Sequence, residues 1–338
     1  MKICAVLTEI DDALVPLLLQ DDAIARMVTV RRLDASASDV EATLRQASFV
    51  LCHPGLLMAL LRTLPVDVLD NCEFVQSTWA GVESLARFFV ETLPAARRPT
   101  VVRFAGPDTL YGHQMAEFFL MMAVAFERRL FEQTLNQHAE PPRWAPFTEF
   151  TSLLGKTLGV LGYGAIGQHV ARVVRGFGMH VVALSNSGVA PQNCAARALF
   201  RRQDQLVEFL RECDYVLALL PDTERSRGLL DDDDVLRHCK PTVVVVNAGR
   251  GSLISEQSIL RALERRWIRG FIADVWPEEP LPLSSPLWRT PGVIVSPHVA
   301  AKPTPEATAR VFGGNLKTFF ETGSAALLPF VLDYSRGY

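Results

Sequence analysis

An apolar run from Leu158 to Leu161 is followed at once by Gly162-Tyr-Gly164-Ala165-Ile166-Gly167. Apolar residues at helical spacing come next (Ile166, Val170, Ala171, Val174), then a second apolar run, Val181 to Leu184. Strand, glycine turn, amphipathic helix and strand in that order make a βαβ unit. Gly162 permits a tight strand-to-helix turn, Gly164 leaves the backbone open to a pyrophosphate, and Gly167 lets the helix lie close on the strand. Amides at the helix start, with the helix dipole, favour phosphate charge. Glycines also serve ordinary turns, but with both strands and the helix in place the stretch reads as a dinucleotide loop lined by Gly162, Gly164, Ala165, Ile166 and Gly167.

At 338 residues the chain has length for two domains. From Lys2 to about Arg103, short apolar runs (Ile3 to Leu7, Val28 to Val30, Phe49 to Cys52, Asp67 to Leu69, Phe74 to Gln76) alternate with helical stretches, which predicts a first parallel α/β domain without a glycine-rich loop. Ser77-Thr-Trp79-Ala80-Gly81 follows one of its strands, where ligands of open α/β sheets are met; the plain alternative is a turn shaped by Gly81 with Trp79 packed. Asp108 to Gln137 carries apolar residues at helical spacing, read either as an oligomer interface or as an internal hinge helix. Beyond the glycine unit, Tyr215 to Leu220, Val243 to Val246, Gly270 to Asp274 and Val293 to Ser296 are further strands, and Pro305 to Phe320 is helical. The acidic run Asp231 to Asp234 reads as a solvated helix start, not a metal site.

Composition narrows the class. With 49% hydrophobic residues, 21% charged residues and a net charge of -3, nothing marks a surface for polyanions, so nucleic acid is not an expected partner. The six cysteines are scattered without a Cys-x-x-Cys pair, so neither a zinc site nor a disulfide framework is expected. The N-terminal apolar run is cut short by acids, unlike a signal peptide, and no apolar segment is long enough to span a bilayer. A cytoplasmic protein is expected.

Four strand ends carry more than a generic nucleotide fold needs: Leu219-Leu220-Pro221-Asp222-Thr223, Asn247-Ala248-Gly249-Arg250-Gly251, Asp274-Val275-Trp276-Pro277-Glu278-Glu279-Pro280 and Ser296-Pro297-His298-Val299-Ala300. In this order after the glycine loop, the set resembles the D-2-hydroxyacid dehydrogenase family from about Arg103 to Ala301. The closing Asp333-x-x-Arg336-Gly337-Tyr338, with Ser285-Pro286-Leu287-Trp288, is most like its glyoxylate/hydroxypyruvate reductase A branch.

The resemblance implies two Rossmann-like or flavodoxin-like α/β domains with parallel sheets and an active-site cleft between them. The expected division is 1–103 for the substrate domain, 104–298 for the nucleotide domain with a dimerisation helix, and 299–338 returning to the substrate domain. It also implies a catalytic trio of Arg250, Glu279 and His298. Those residue types suit reduction of a 2-oxo acid: a guanidinium fork for the carboxylate, an imidazole as proton donor near neutrality, and a carboxylate that raises the imidazole pKa. Asp274 would meet the nicotinamide carboxamide, Pro221, Thr223 and Ala248 would border the cofactor, and the amides of Ala80 and Gly81 would hold the substrate carboxylate. Trp79 and Trp288 would limit the size of the substrate.

An NAD site usually has an acid about 20 residues past the glycine loop. Between Gly167 and Asp204 there is none; the second strand ends Ser185-Asn186-Ser187, whose short hydroxyl and amide side chains suit a 2′-phosphate, and Arg172, Arg175, Arg197, Arg201 and Arg202 make the neighbourhood positive. NADPH is therefore favoured over NADH, although Ser185, Asn186 and Ser187 include no basic residue. A homodimer through residues 108–137 is expected. The alternative is a dinucleotide-sensing corepressor-like binding protein on the same fold, which would keep the trio. Formate dehydrogenase relatives do without the His–Glu pair, and the chain ends too soon for a phosphoglycerate dehydrogenase with a regulatory extension.

Overall fold

The structure, a computed structural model, describes every residue except 148, 149, 187, 189, 190, 192, 202, 203 and 338. The chain divides into two compact units, Met1–Tyr111 with Lys302–Tyr338, and Gly112–Ala301. In each, apolar runs rich in β-branched residues form parallel strands, and amphipathic stretches form most of the crossovers.

The first unit holds β1 (Lys2–Leu7), β2 (Val28–Arg32), β3 (Ala47–Cys52), β4 (Phe74–Ser77) and β5 (Val101–Val102), paired in the order β2-β1-β3-β4-β5. This all-parallel order is that of flavodoxin-like folds. The central strands are covered on both faces, which is why they read as continuous apolar runs and not as alternating ones. The helix Pro305–Thr322 packs Phe312 and Phe319 against Phe74, and Phe319 against Phe49 as well. One buried polar contact fixes its register, Asn315 donating to Gln76 Oε1 at 2.6 Å.

The second unit holds β6 (Thr157–Leu161), β7 (His180–Ser185), β8 (Ala198–Arg201), β9 (Tyr215–Ala218), β10 (Val244–Asn247), β11 (Gly270–Ala273) and β12 (Val293–Val295). Their order, β12-β11-β10-β9-β6-β7-β8, is the doubly wound Rossmann arrangement with one strand added beyond β11. The order reverses between β6 and β9, so the ends of those strands flank the crevice where such sheets bind ligands.

Three local readings change. Asp67–Leu69 is a turn and not a strand. The helical pattern from Asp108 to Gln137 breaks into Tyr111–Glu127 and Leu130–Gln137, because Arg129 is left-handed (φ 50°) and no helix continues through that geometry. β8 is a strand of four residues whose run, Ala198-Leu-Phe-Arg201, is too short to stand out from the sequence.

Candidate active site

The glycine loop has the shape its spacing predicts. Gly162 has φ 109°, a region L side chains rarely enter. A Cβ on Gly167 would lie 2.6 Å from the Gly162 carbonyl oxygen and 2.8 Å from Val160, so only glycine allows this helix to sit on β6. At Gly164 a Cβ would meet nothing within 4 Å: the backbone is open on that side. The helix Ala165–Arg175 begins there with no side-chain cap, so its first amides, Ala165, Ile166 and Gly167, are available to an anion. An open glycine cradle at an uncapped helix start fits a dinucleotide pyrophosphate.

Neighbouring strand ends are held together by backbone-to-backbone contact at glycines. A Cβ on Gly249 would come within 2.8 Å of the Leu220 carbonyl oxygen, and one on Gly251 within 2.0 Å of the Trp276 carbonyl carbon. The loop carrying Arg250 is thus wedged between the ends of β9 and β11. Asn247, 1% exposed, shapes it further by donating to the Arg250 carbonyl at 2.9 Å and accepting the Gly249 amide at 3.2 Å. Asp222 closes the far side, taking Arg227 at 2.8 Å and the Ser252 hydroxyl at 2.7 Å. At the same strand end Ser226 donates to the Pro221 carbonyl at 2.6 Å and accepts the Thr223 amide at 2.8 Å. Gly251→Ala is therefore expected to push the Arg250 loop off the Trp276–Glu279 loop and to lower kcat/KM about 100-fold, the scale of an ångström-sized misplacement. Steady-state kinetics beside circular dichroism would measure it; a folded variant with unchanged kcat/KM would contradict the contact's importance.

His298 and Glu279 meet directly, Nδ1 to Oε2 at 2.8 Å, both partly exposed. The other oxygen of Glu279 accepts the Trp276 amide at 2.8 Å, which aims the carboxylate. With Nδ1–H committed to Glu279, the ring's exchangeable proton is on Nε2. The hydrogen bond to Glu279 holds the His298 pKa above its ordinary value, against the opposing effect of burial. For Glu279, burial works to raise the pKa, but the bonds from His298 and the Trp276 amide and the charges of His298 and Arg250 prevail, leaving its carboxyl below the usual range.

His298 itself is left-handed (φ 59°), a conformation histidine tolerates better than most residues but does not choose unaided. Asp274, 2% exposed, imposes it. Its Oδ1 accepts the Ser296 hydroxyl at 2.6 Å and the Val299 amide at 2.8 Å, and its Oδ2 the Ala300 amide at 2.8 Å. Asp274 thus clamps the loop on both sides of the histidine. The resemblance implies only a cofactor contact for Asp274 and no role for Asn247, Ser226 or Ser296; a buried polar residue closing an apolar strand run is the sequence signal at Asn247 and Ser296.

In the first unit, Trp79 follows β4. Its amide is accepted by the Ser77 hydroxyl at 3.0 Å, and its ring stands edge-on to His53 at 5.5 Å. Among the described residues no hydrogen bond takes up the amides of Ala80 or Gly81. In the second unit, Trp288 spends its indole N–H on the Pro282 carbonyl at 2.9 Å and leaves the ring half-exposed.

The predicted positive surroundings of the cofactor's adenosine end need correction. Arg172 and Arg175 occupy the last turn of the helix that begins at Gly164, away from the phosphate loop. Arg197 pairs with Glu212 at 2.9 Å and reaches Thr157, the first residue of β6, at the opposite edge of the sheet. Helix and strand each carry their residues from one edge to the other, so nearness in sequence placed these charges wrongly. Strand register does set the backbone of Arg201 beside Ser185. The Ser185 hydroxyl accepts the Gly188 amide at 3.0 Å, Asn186 follows in a bend, and Ser187 and Arg202 lie outside the described residues.

A Rossmann sheet with an open phosphate loop at its reversal point, and a paired histidine and carboxylate at neighbouring strand ends, defines a dinucleotide-dependent oxidoreductase. The family model for the NAD binding domain of D-isomer specific 2-hydroxyacid dehydrogenases matches residues 120–300. Glyoxylate/hydroxypyruvate reductase A from Serratia proteamaculans is 31% identical over 240 residues, 70% of this chain and 73% of that protein. Among solved structures, a D-isomer specific 2-hydroxyacid dehydrogenase family protein from Aeromonas salmonicida superposes with TM-score 0.84 at 27% identity, covering 98% of this chain and 99% of that one. An NADPH-dependent glyoxylate/hydroxypyruvate reductase from Sinorhizobium meliloti, in complex with NADP and sulfate, gives 0.77 at 25% identity with both chains fully covered. The chain belongs to the D-isomer specific 2-hydroxyacid dehydrogenase family.

Proposed function

We propose that this protein reduces a small 2-oxo acid of the glyoxylate or hydroxypyruvate type to the D-2-hydroxy acid, with NADPH as the favoured cofactor. The observation that carries the reading is His298 bonded to Glu279 at 2.8 Å on a loop clamped by Asp274. When bound, the nicotinamide supplies the hydride. His298 gives its Nε2 proton to the forming alkoxide, and Glu279 steadies the imidazolium until then. In the second unit Arg250 is the cation for the substrate carboxylate, and Trp288 bounds the acid. In the first unit the amides of Ala80 and Gly81 are donors for a carboxylate, and Trp79 bounds the acid. Asp274, with one acceptor position unused, takes the nicotinamide carboxamide, and Pro221, Thr223 and Ala248 border the cofactor. The absence of an acid after β7 supports the 2′-phosphate form, as do the relatives described as NADPH-dependent.

A second copy of the chain is proposed to cover the exposed apolar residues Met121, Val124, Phe131 and Leu135 on the two helices after Tyr111. No helix among the described residues is long and apolar enough to cross a membrane, and the free cysteines suit a reducing compartment such as the cytoplasm. Nothing in the site favours the corepressor-like reading.

The test is NADPH oxidation with glyoxylate and hydroxypyruvate, repeated with NADH. Arg250→Ala is expected to abolish turnover and leave NADP⁺ affinity within a few-fold, measured by titration. Loss of both together would count against the assigned role, and a higher kcat/KM with NADH would overturn the cofactor preference.

A further inference from the structure

In the first unit the strand order reverses between β1 and β3, so the crevice where such a sheet meets ligands lies just past Leu7 and Cys52. Glu9 and His53 stand there. The His53 amide donates to the Leu7 carbonyl at 2.8 Å, which sets the residue beside the chain leaving β1. Its ring caps the helix Pro54–Leu61, Nδ1 accepting the Gly55 amide at 3.1 Å and the Leu56 amide at 3.2 Å. Gly55 makes the seat, since a Cβ there would lie 3.0 Å from the ring's Cε1. A nitrogen that accepts two amides carries no proton, so the ring is neutral and its N–H is on Nε2. Burial acts in the same direction and lowers the His53 pKa, against the opposing charge of Glu9. A cap needs only an acceptor, which smaller side chains supply; the imidazole leaves a fixed donor over. Its Nε2 lies 3.8 Å from Glu9 Oε1, too far for a direct hydrogen bond, and the Glu9 side chain is 60% exposed and free to adjust. A neutral donor beside a carboxylate suits a hydroxyl, which accepts from the one and donates to the other. A second carboxylate would be repelled by Glu9.

We propose that His53 and Glu9 are specificity-determining residues: together they take the 3-hydroxyl of a three-carbon 2-oxo acid, which makes hydroxypyruvate, and not its unsubstituted or dicarboxylic counterparts, the preferred substrate class. The inference rests on the 2-oxo acid reading above. Spacing within the first unit supports it. The amides of Ala80 and Gly81, assigned above to a carboxylate, follow β4, and β4 is the neighbour of β3, which ends at His53. Neighbouring strands lie about 4.8 Å apart, close to the span of a three-carbon acid from its carboxylate to its C3 hydroxyl. The edge-on Trp79 ring, between these two groups in the chain and in contact with the imidazole, keeps the donor in place.

His53→Asn keeps a side-chain acceptor for the helix cap and removes the Nε2 donor. The quantity to measure is kcat/KM for hydroxypyruvate divided by that for pyruvate, the same acid without the hydroxyl, with NADPH as reductant. A ratio taken on one preparation is blind to any loss of folded protein. It should fall about 3- to 10-fold in His53→Asn, the size of one hydrogen bond. Glu9→Ala should lower it similarly, and Glu9→Gln, whose amide oxygen still accepts, should lower it less. A ratio within about twofold of wild type in either His53→Asn or Glu9→Ala would overturn the proposal, as would a wild type that prefers pyruvate. A wild-type protein that reduces no 2-oxo acid would overturn the reading beneath it as well.

Discussion

His298→Gln is expected to lower kcat for 2-oxo acid reduction by roughly 10²- to 10⁴-fold while leaving NADP⁺ affinity nearly as it was. Glutamine at 298 can still donate a hydrogen bond but cannot release a proton, and positioned acid catalysis is worth about that factor. Stopped-flow and steady-state rates with NADPH would measure the loss. Activity within about tenfold of wild type would mean that the proton comes from another group.

The Glu279 contact gives this acid a pH signature. In the proposed mechanism reduction needs protonated His298, whose pKa the Glu279 hydrogen bond raises. The rate is therefore sustained on the acid side and falls as pH rises through that raised value. In Glu279→Gln the stabilising charge is gone, so the alkaline limb of kcat/KM should move to lower pH. Glu279 itself, held below the ordinary carboxylate range, stays ionised across this window and adds no limb of its own.

Much of this was legible in the residues. Gly162, Gly164 and Gly167 announced the βαβ unit because each answers a separate steric demand of one turn, and the strand-helix rhythm gave two parallel sheets. Arg250, Glu279 and His298 sit just past apolar runs, where open sheets bind ligands, and it is the resemblance to the family that singles them out as a trio. What the sequence hid depends on distance in space. Nothing local showed that Asp274 would clamp the His298 loop from 25 residues away, since that requires the register of β11 beside β12. The arginines after the glycine loop looked like one positive patch because sequence order does not say which edge of the sheet a residue reaches. At Gly251 the requirement for glycine comes from the Trp276 backbone it touches, which is 25 residues away in sequence.

The same limit applies to Glu127, which reads as an ordinary acid near a helix end and is a buried anchor whose loss should damage the fold. It closes the helix Tyr111–Glu127, where the helix dipole disfavours negative charge, and it is 4% exposed. Four donors offset both costs. Arg269, 142 residues away, forks onto both carboxylate oxygens, one arm at 3.1 Å, while the Tyr215 hydroxyl donates at 2.5 Å and the Thr151 hydroxyl also bonds. These partners tie the helix to the start of β9 and to the residue before β11. Burial alone would raise the Glu127 pKa, but the bonds from Arg269, Thr151 and Tyr215 together hold it below the ordinary value. Its stabilisation is thus complete above the normal carboxylate range and is lost as pH falls through and below it. Glu127→Ala should destabilise the protein by about 3 kcal/mol, the lower end for breaking a buried pair, because the Arg269 side chain keeps about a third of its surface in water. Glu127→Gln, which can still accept from Tyr215 and Thr151, should lose less. Denaturant unfolding at neutral pH would rank the three proteins, and the gap between wild type and Glu127→Ala should hold down to about pH 4, near the ordinary glutamate pKa, and narrow only as the pH is lowered below it. A gap that stayed constant with pH would show that packing, and not the ion pair, holds this corner together.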